Sequence, residues 1–476
     1  MWYNKARVKE RFKLKEEKIF TLGPAHIITF SFLAVILLGT ILLSLPIASQ
    51  NGESIGILNA MFTATSAVCV TGLVVVNTLA HWTLFGKIVI LMLIQIGALG
   101  FMSLFTFVLV FLGRKISLRG RILIQESFNL SSFKGMILFL RKIILGTFLI
   151  EGICAIILSI KFIPEYGLKT GILNGIFHSI SAFCNAGFDI LGEVSLIDYQ
   201  TDYVVNITIM VLIILGGLGF SVWFDLLKYI KYLHEKFKYG RKEKFSLSLH
   251  SKIVIWITII LILFGFFSTL LLEFNNPNTI GNLRLDQKIL VSLFQSVTLR
   301  TAGFDSIGQG ELTYGAKFVA IILMAIGGSP GGTAGGIKTV TIGVLFFTIV
   351  SVIKGKDCVT SFKKTISFHT VQKSLTILVM MLTFIFFSTV LLSIVETKNN
   401  FDYEFIDLLY ETTSALATVG LSTGITPNLS FLGRIIIMFC MFIGRLGPIT
   451  VVLGLSFKKR CKKNVIHYPE EKIIVG

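Results

Sequence analysis

The sequence predicts an all-α integral membrane fold. Four covalently linked units, each with two spans and one re-entrant loop (M1–P–M2), are expected in pseudo-fourfold arrangement around one pore. Three observations predict it. Of 476 residues, 54% are hydrophobic and only 15% charged, against about 25% charged in ordinary soluble proteins. Basic residues gather in five runs separated by four long apolar blocks. Each block repeats the same pair of glycine landmarks.

The 42 Phe and 43 Gly suit helices that face lipid and pack through small residues. A formal charge of +18 would point to nucleic acid on a soluble domain, but its placement argues against that partner. Segments 1–19, 113–142, 228–252, 354–373 and 458–476 hold 33 of the 44 Lys and Arg and 9 of the 26 Asp and Glu. Cytoplasmic loops collect Lys and Arg, so each apolar block must leave the cytoplasm and return. Both termini are then cytoplasmic, in a multi-pass protein of the cell membrane. The N-terminal arm mixes both charge signs and shows no cleavable signal. Cys69, Cys154, Cys184, Cys358, Cys440 and Cys461 form no CxxC pair, and no disulfide framework is expected.

Four short sequences mark the repeats: Val68–Leu73, Phe183–Phe188, Leu299–Phe304 and Leu416–Leu421. Their glycines Gly72, Gly187, Gly303 and Gly420 lie 115, 116 and 117 residues apart. A second landmark begins at Gly97, Gly216, Gly327 and Gly444, which is 25, 29, 24 and 24 residues later. The units are 20–113, 114–228, 229–354 and 355–457, between a cytoplasmic arm (1–19) and tail (458–476).

In the first unit, 25–46 can cross a hydrocarbon core, which takes about 20 helical residues. Residues 56–67 are too few to cross at about 1.5 Å per residue, so they enter and stop midway. The chain turns at 68–73, climbs out, and crosses again at 85–112. The later units read as 139–161, 172–183 and 203–226; 252–273, 286–298 and 317–353; and 372–395, 404–416 and 431–457. Eight spans and four outward-facing re-entrant loops are expected.

Irregular backbone at membrane depth persists only where it lines a cavity or is buried in protein. Each half-helix aims its negative C-terminal end inward, which favours a cation. A glycine in each turn permits backbone angles closed to other residues, so carbonyls can replace part of an ion's water shell. The turns Val70-Thr71-Gly72, Asn185-Ala186-Gly187, Thr301-Ala302-Gly303 and Thr418-Val419-Gly420 are the candidate cation-binding residues. None supplies a carboxylate ring, so the expected ion is monovalent. The alternative is that the four glycines serve packing or helix ends.

The third second span carries Gly327, Gly328, Gly331, Gly332, Thr333, Gly335, Gly336 and Lys338, with Pro330 among them. Interior Gly and Pro disfavour a helix by about 1 and 3 kcal/mol relative to Ala. A break and a flexible loop beneath the filter are expected there, as a gate. The stretch Gly335-Gly336-Ile337-Lys338-Thr339 lacks the adjacent Gly-Lys of a phosphate loop, so no nucleotide is expected on it. Arg445 lies mid-span at the level of that loop. A charge there costs at least about 2.5–3.5 kcal/mol on insertion scales and normally faces a polar cavity. It would raise the barrier to cations or hold the loop by its carbonyls; the other reading is a bridge to Glu151. Arg300, three residues before Gly303, either tunes the local field or braces the loop. Glu151, Asp225 and Lys338 read as braces, and Cys69 and Cys184 as packing thiols. His26 and His178 have no second ligand at metal-binding spacing, so no metal site beyond the filter is expected.

These features resemble the Ktr/Trk/HKT potassium-uptake family over essentially the whole chain. The marks are Arg300–Phe304, Gly331–Thr339, Gly444-Arg445-Leu446-Gly447-Pro448 and the ending Tyr468–Lys472. Trk members are expected to carry two further spans before the first unit; room for none points to the Ktr membrane-subunit branch, KtrB. The resemblance implies K⁺ selectivity at Gly72, Gly187, Gly303 and Gly420, and a gate at the glycine-rich loop. Some Na⁺-passing plant relatives have Ser at the first position. The TVGYG strand of tetrameric K⁺ channels is absent except for Thr418-Val419-Gly420, so a shorter filter is expected. The family also implies a homodimer, a KtrA-like cytoplasmic ring of nucleotide- and NAD-binding regulatory subunits, and Na⁺ as an activator. No cofactor bound by this chain is expected, and K⁺ is the transported ion. Rivals are a Na⁺ channel or Na⁺-coupled K⁺ carrier, and a membrane-embedded enzyme, for which no catalytic constellation is found.

Overall fold

A computed structural model describes residues 24–100, 136–192, 195–239, 246–399, 401 and 403–455. The arm 1–19, residues 101–112 of the expected second span, most of the basic segment 113–142, and the tail with Cys461 and Tyr468–Lys472 lie outside these residues.

The described chain is helical apart from short turns of 3₁₀-helix and one small hairpin. The first quarter runs α1 (Pro24–Ser44), α2 (Ile57–Cys69), the short α3 (Thr78–His81) and α4 (Leu84–Leu99). The second runs α5 (Met136–Tyr166), α6 (Leu168–Cys184), α7 (Tyr203–Gly217) and α8 (Phe220–Tyr239). The third runs α9 (Leu249–Glu273), α10 (Leu285–Thr298), α11 (Tyr314–Ala325) and α12 (Thr339–Ile353). The fourth runs α13 (Phe368–Lys398), α14 (Phe405–Ala417), α15 (Phe431–Leu446) and α16 (Pro448–Leu455). Between the last two quarters, β1 (Thr360–Ser361) and β2 (Lys364–Thr365) pair antiparallel across Phe362 and Lys363, both at positive φ. That departure from an all-α chain has no Asn-Gly or Asp-Gly signal to announce it.

The helices α1, α5, α9 and α13 are long and apolar enough to cross a membrane, and the pair α7–α8 passes the same test with a 103° bend. The long helices expose Leu, Ile and Phe around much of their circumference, as at Leu38, Ile41, Phe386 and Phe387, which is the pattern of helices solvated by lipid. The half-length helices are the reverse. Thr63 to Cys69 of α2 and Tyr410 to Ala417 of α14 are buried without a break, so the core sits on the short helices.

The expected second spans all begin at a hydroxyl or carboxylate cap. Thr83 accepts from Gly86 N, Asp202 from Val204 and Val205 N, Thr313 from Ala316 N and Ser430 from Gly433 N. Such caps satisfy N–H groups that have no partner within the helix. Buried Glu273 and Glu396, near the ends of α9 and α13, strengthen the third and fourth. Glu273 accepts from Thr313 N and Oγ1 at 2.9 and 2.7 Å, and Glu396 from Ser430 Oγ at 2.7 Å.

The helix break expected in the third quarter is present between Ala325 and Thr339. The sequence did not lead us to expect breaks at the matching landmark in the others. α4 ends at Gly100 (φ 79°), α7 gives way to α8 at Gly219 (φ 85°), and α15 to α16 at Gly447 (φ 83°). These backbone angles suit glycine alone among ordinary residues.

Candidate functional site

The half-length helices deliver the four glycine turns. In three of them the helix closes with an αL residue two before the glycine: Val70, Asn185 and Thr418, at φ 56°, 59° and 52°. The next residue's N–H returns to the carbonyl of Ser66, Ser181 or Ser414, each at 2.8 Å. This is a Schellman closure made without glycine at its usual place. The third turn puts Thr301 at φ 66° but closes differently, through Ala302 N to Thr298 O at 3.0 Å. Positive φ is uncommon for β-branched residues, and such strain is held only where the surroundings over-determine it.

Hydroxyls on the short helices lock the turns from behind. Ser66 Oγ accepts from Gly72 N at 3.0 Å and Ser414 Oγ from Gly420 N at 3.1 Å. Ser181 and Thr298 instead donate to the carbonyls of Phe188 and Phe304, at 2.6 and 2.7 Å. Buried Glu411 accepts from Ser422 Oγ at 2.9 Å and from Thr426 Oγ1. His178 Nδ1 donates to Asn174 O at 2.7 Å, which leaves Nε2 to accept from Ile190 N at 3.3 Å. None of these bracing residues was a sequence candidate, although a Ser six residues before the glycine recurs in three turns.

The four turn glycines contact one another in a closed circle. A Cβ on Gly72 would collide with Ala186 O, one on Gly187 would lie 2.8 Å from Ala302 O, one on Gly303 would collide with Val419 O, and one on Gly420 with Thr71 O. Each glycine therefore abuts the carbonyl that precedes the next glycine. The glycine φ angles are 96°, 69°, 82° and 97°. Thr71, Thr301 and Thr418 hydroxyls and the Asn185 Nδ2 are buried with no hydrogen-bond partner among the described residues.

The loop 326–338 lies against these turns. Its base is stapled by Gly327 N to Ile337 O, Ile337 N to Ala325 O and Thr339 N to Gly328 O, each at 3.0 Å. Its body docks on the second quarter, with Ser329 N on Gly217 O (2.8 Å), Thr333 N on Gly216 O (3.1 Å) and Phe220 N on Gly331 O (3.0 Å). Thr333 Oγ1 lies 3.1 Å from both Phe183 O and Asn185 Oδ1. A Cβ on Gly335 would strike Thr418 Oγ1, and one on Gly332 would lie 2.8 Å from Gly216 O. Gly336, at φ 64°, packs on Gly327 N.

Three cations surround the loop. Arg445 Nη1 donates to Thr333 O, and Nη2 to Gly97 O and to Ala98 O at 3.1 Å. Glu151 instead accepts from Gln95 Nε2 at 3.3 Å and from Cys184 Sγ at 3.8 Å. Arg445 is thus held by loop and helix-end carbonyls, and the bridge to Glu151 is not formed. Lys338 Nζ donates to Ala334 O at 2.7 Å, and Arg300 reaches Gly327 O at 3.5 Å. On the side of the loop away from the turns opens a cavity of about 800 Å³, lined among others by Gly100, Asp225, Gly331, Lys338 and Arg445. On the other side, two residues beyond Gly187, lies Asp189. Burial and, less strongly, the charge of Asp305 push its carboxyl up to about 7, while a hydrogen bond from Ser195 pulls the other way. Among the described residues no group of three or more His, Cys, Asp or Glu could hold a metal ion.

The TrkH family profile, described as a cation transport protein, matches residues 10–465. The chain is 39% identical to the potassium/sodium uptake protein NtpJ of Enterococcus hirae, over 96% of this chain and 98% of that one. It is 38% identical to the Ktr system potassium uptake protein B of Bacillus subtilis, over 95% and 97%. The crystal structure of the potassium transporter TrkH from Vibrio parahaemolyticus superposes with a TM-score of 0.69 at 16% identity, covering 92% of this chain and 86% of that one. At that identity the likeness concerns the fold.

Proposed function

The chain belongs to the TrkH cation-transport family, and from that premise we propose that it is the ion-conducting membrane subunit of a K⁺ uptake system. K⁺ enters the cytoplasm down the membrane potential through a filter made by the carbonyls of the four glycine turns. The observation that carries this reading is the closed circle of glycine-to-carbonyl contacts through Gly72, Gly187, Gly303 and Gly420. Backbone oxygens converging from four separate turns can replace part of a hydration shell without adding net charge, which suits a monovalent ion. The four quarters act as M1–P–M2 repeats (20–113, 114–228, 229–354 and 355–457) around one pore, giving eight spans with both termini cytoplasmic.

The loop 326–338 is the gate. It occupies the space between the turns and the cavity, and Arg445 fastens it there while placing a positive charge below the filter. Opening requires it to leave Gly216 and Gly217. A homodimer with a KtrA-like nucleotide-binding ring on its cytoplasmic side would control that step, with Na⁺ as an activator and no cofactor bound by this chain. The printed name of the Enterococcus hirae relative, a potassium/sodium uptake protein, keeps a Na⁺-conducting or Na⁺-coupled alternative in view.

Tracer flux into liposomes reconstituted with the chain, with and without the cytoplasmic partner and under competing K⁺, Rb⁺ and Na⁺, separates the readings. K⁺ and Rb⁺ competing well and Na⁺ poorly is the expected result. Gly72→Ser should erode that preference, because its side chain would be driven onto Ala186 O. Equal competition by Na⁺ in the unaltered chain would overturn K⁺ selectivity.

A further inference from the structure

Helix α8 leaves the axis of α7 at 103°. With α7 as the second span of its unit, as in the proposed function, this bend sets α8 close to the plane of the membrane. Its first part is packed inward: Phe220 and Val222 are buried, and Trp223 donates to Leu215 O at 2.9 Å. Its last part stands away from the body. Asp225 Oδ2 already accepts from Ser251 Oγ, at the start of α9, at 2.6 Å. A direct connection would therefore need almost no chain, yet α8 continues for 14 residues to Tyr239, roughly 21 Å at helical rise, before returning to Ser248.

That excursion is amphipathic. Leu227, Ile230, Leu233 and Phe237 recur at helical spacing on one face and are exposed, Phe237 by 98%. Lys228, Lys231, Lys236 and Lys238 face a single acidic residue, Glu235, over the same stretch. A helix with an apolar stripe, a lysine-rich flank and an axis in the membrane plane is suited to lie in the interface. We propose that the distal half of α8, residues 227–239, docks on the anionic cytoplasmic leaflet, with its apolar stripe at the acyl boundary and its lysines on lipid phosphates. The occupant follows from charge complementarity and axis direction together. A protein partner would explain the lysines but not the turn into the membrane plane. Each lysine near an anionic surface contributes about 1 kcal/mol, or about fivefold in preference. The inference rests on the cytoplasmic side assigned to 228–252 under the proposed function.

The test uses the full chain with Phe237→Trp, its signal taken as the difference from the unaltered protein. The vesicles are phosphatidylcholine alone, or phosphatidylcholine mixed equally with phosphatidylglycerol. Shallow-brominated lipid should quench the added indole about twofold more than deep-brominated lipid, and more strongly in the phosphatidylglycerol vesicles. In the Lys228→Gln/Lys231→Gln/Lys236→Gln/Lys238→Gln background the effect of phosphatidylglycerol should fall sharply. An indole open to aqueous iodide in the phosphatidylglycerol vesicles, or one no better quenched by brominated lipid than by unbrominated lipid, overturns the proposal. K⁺ flux read from the same vesicles keeps a failure here distinct from a failure of the filter.

Discussion

A threonine hydroxyl has one proton, and at Thr333 it meets two acceptors, Phe183 O and Asn185 Oδ1. Its carbonyl meanwhile holds Arg445, so one residue ties the loop 326–338 both to the second glycine turn and to the Arg445 guanidinium. Thr333→Val keeps the shape and removes the donor, leaving one buried acceptor unsatisfied at a cost of about 1–3 kcal/mol. Rb⁺ flux without the regulatory partner should rise about tenfold, 1.4 kcal/mol being a factor of ten. Arg445→Gln should leak in the same direction, and flux equal to the unaltered chain in both variants would remove the gate assignment. Two residues beyond Gly187, Asp189 gives a pH signature. Its raised carboxyl is neutral below about 7 and charged above it, and a cation near the filter mouth favours the charged form. Apparent K⁺ affinity should therefore improve from pH 6 to pH 8 and lose that dependence in Asp189→Asn; a slope that survives the substitution assigns the effect elsewhere. Arg445 was legible in the sequence because an arginine in mid-span is costly wherever it points. Thr333's partners were not, since they lie 150 and 148 residues away. The left-handed positions were hidden too: Val70, Asn185, Thr301 and Thr418 share an angle, but three of them are β-branched residues that rarely adopt it.

At the scale of elements, the four second spans show what a glycine spacing can and cannot announce. The third break was legible because Gly327–Gly336 holds six glycines and a proline. Gly100, Gly219 and Gly447 stand in shorter clusters, and isolated glycines are tolerated inside helices, so their breaks were not. The reason for the landmark itself lies across the interface. A Cβ on Gly97, Gly216 or Gly444 would collide with the carbonyl of Val68, Phe183 or Leu416, each four residues before Gly72, Gly187 or Gly420. The second spans thus touch the very ends of the half-length helices, and the constant spacing records that contact. Gly444→Ala should lower stability by about 1–3 kcal/mol, the usual range for overpacking. Gly152→Ala, on α5 with nothing within 4 Å of its added methyl, should be neutral or slightly stabilising. Thermal unfolding in detergent measures both, and equal midpoints for the two variants would show that the close approach carries no energy.

Across the whole molecule, the proposed conduction path through the circle of turns makes a thermodynamic prediction about transport. On the proposed path the membrane field is the driving force for the ion. One positive charge crossing 100 mV gains about 2.3 kcal/mol, roughly fifty-fold in accumulation. Rb⁺ uptake into vesicles should then follow the imposed potential alone, about tenfold for each 1.36 kcal/mol of field energy, and collapse when the field is discharged. Imposing the potential with a proton gradient and a protonophore keeps K⁺-carrying ionophores out of the measurement. A Na⁺-coupled carrier behaves differently at the same potential, because an inward Na⁺ gradient would raise the final accumulation. A pore that Na⁺ only activates would fill faster with Na⁺ present and stop at the same level. The plateau, not the rate, therefore discriminates: a Na⁺-dependent plateau would replace the channel by coupled transport, while leaving the circle of carbonyls as the place where the ion sheds its water.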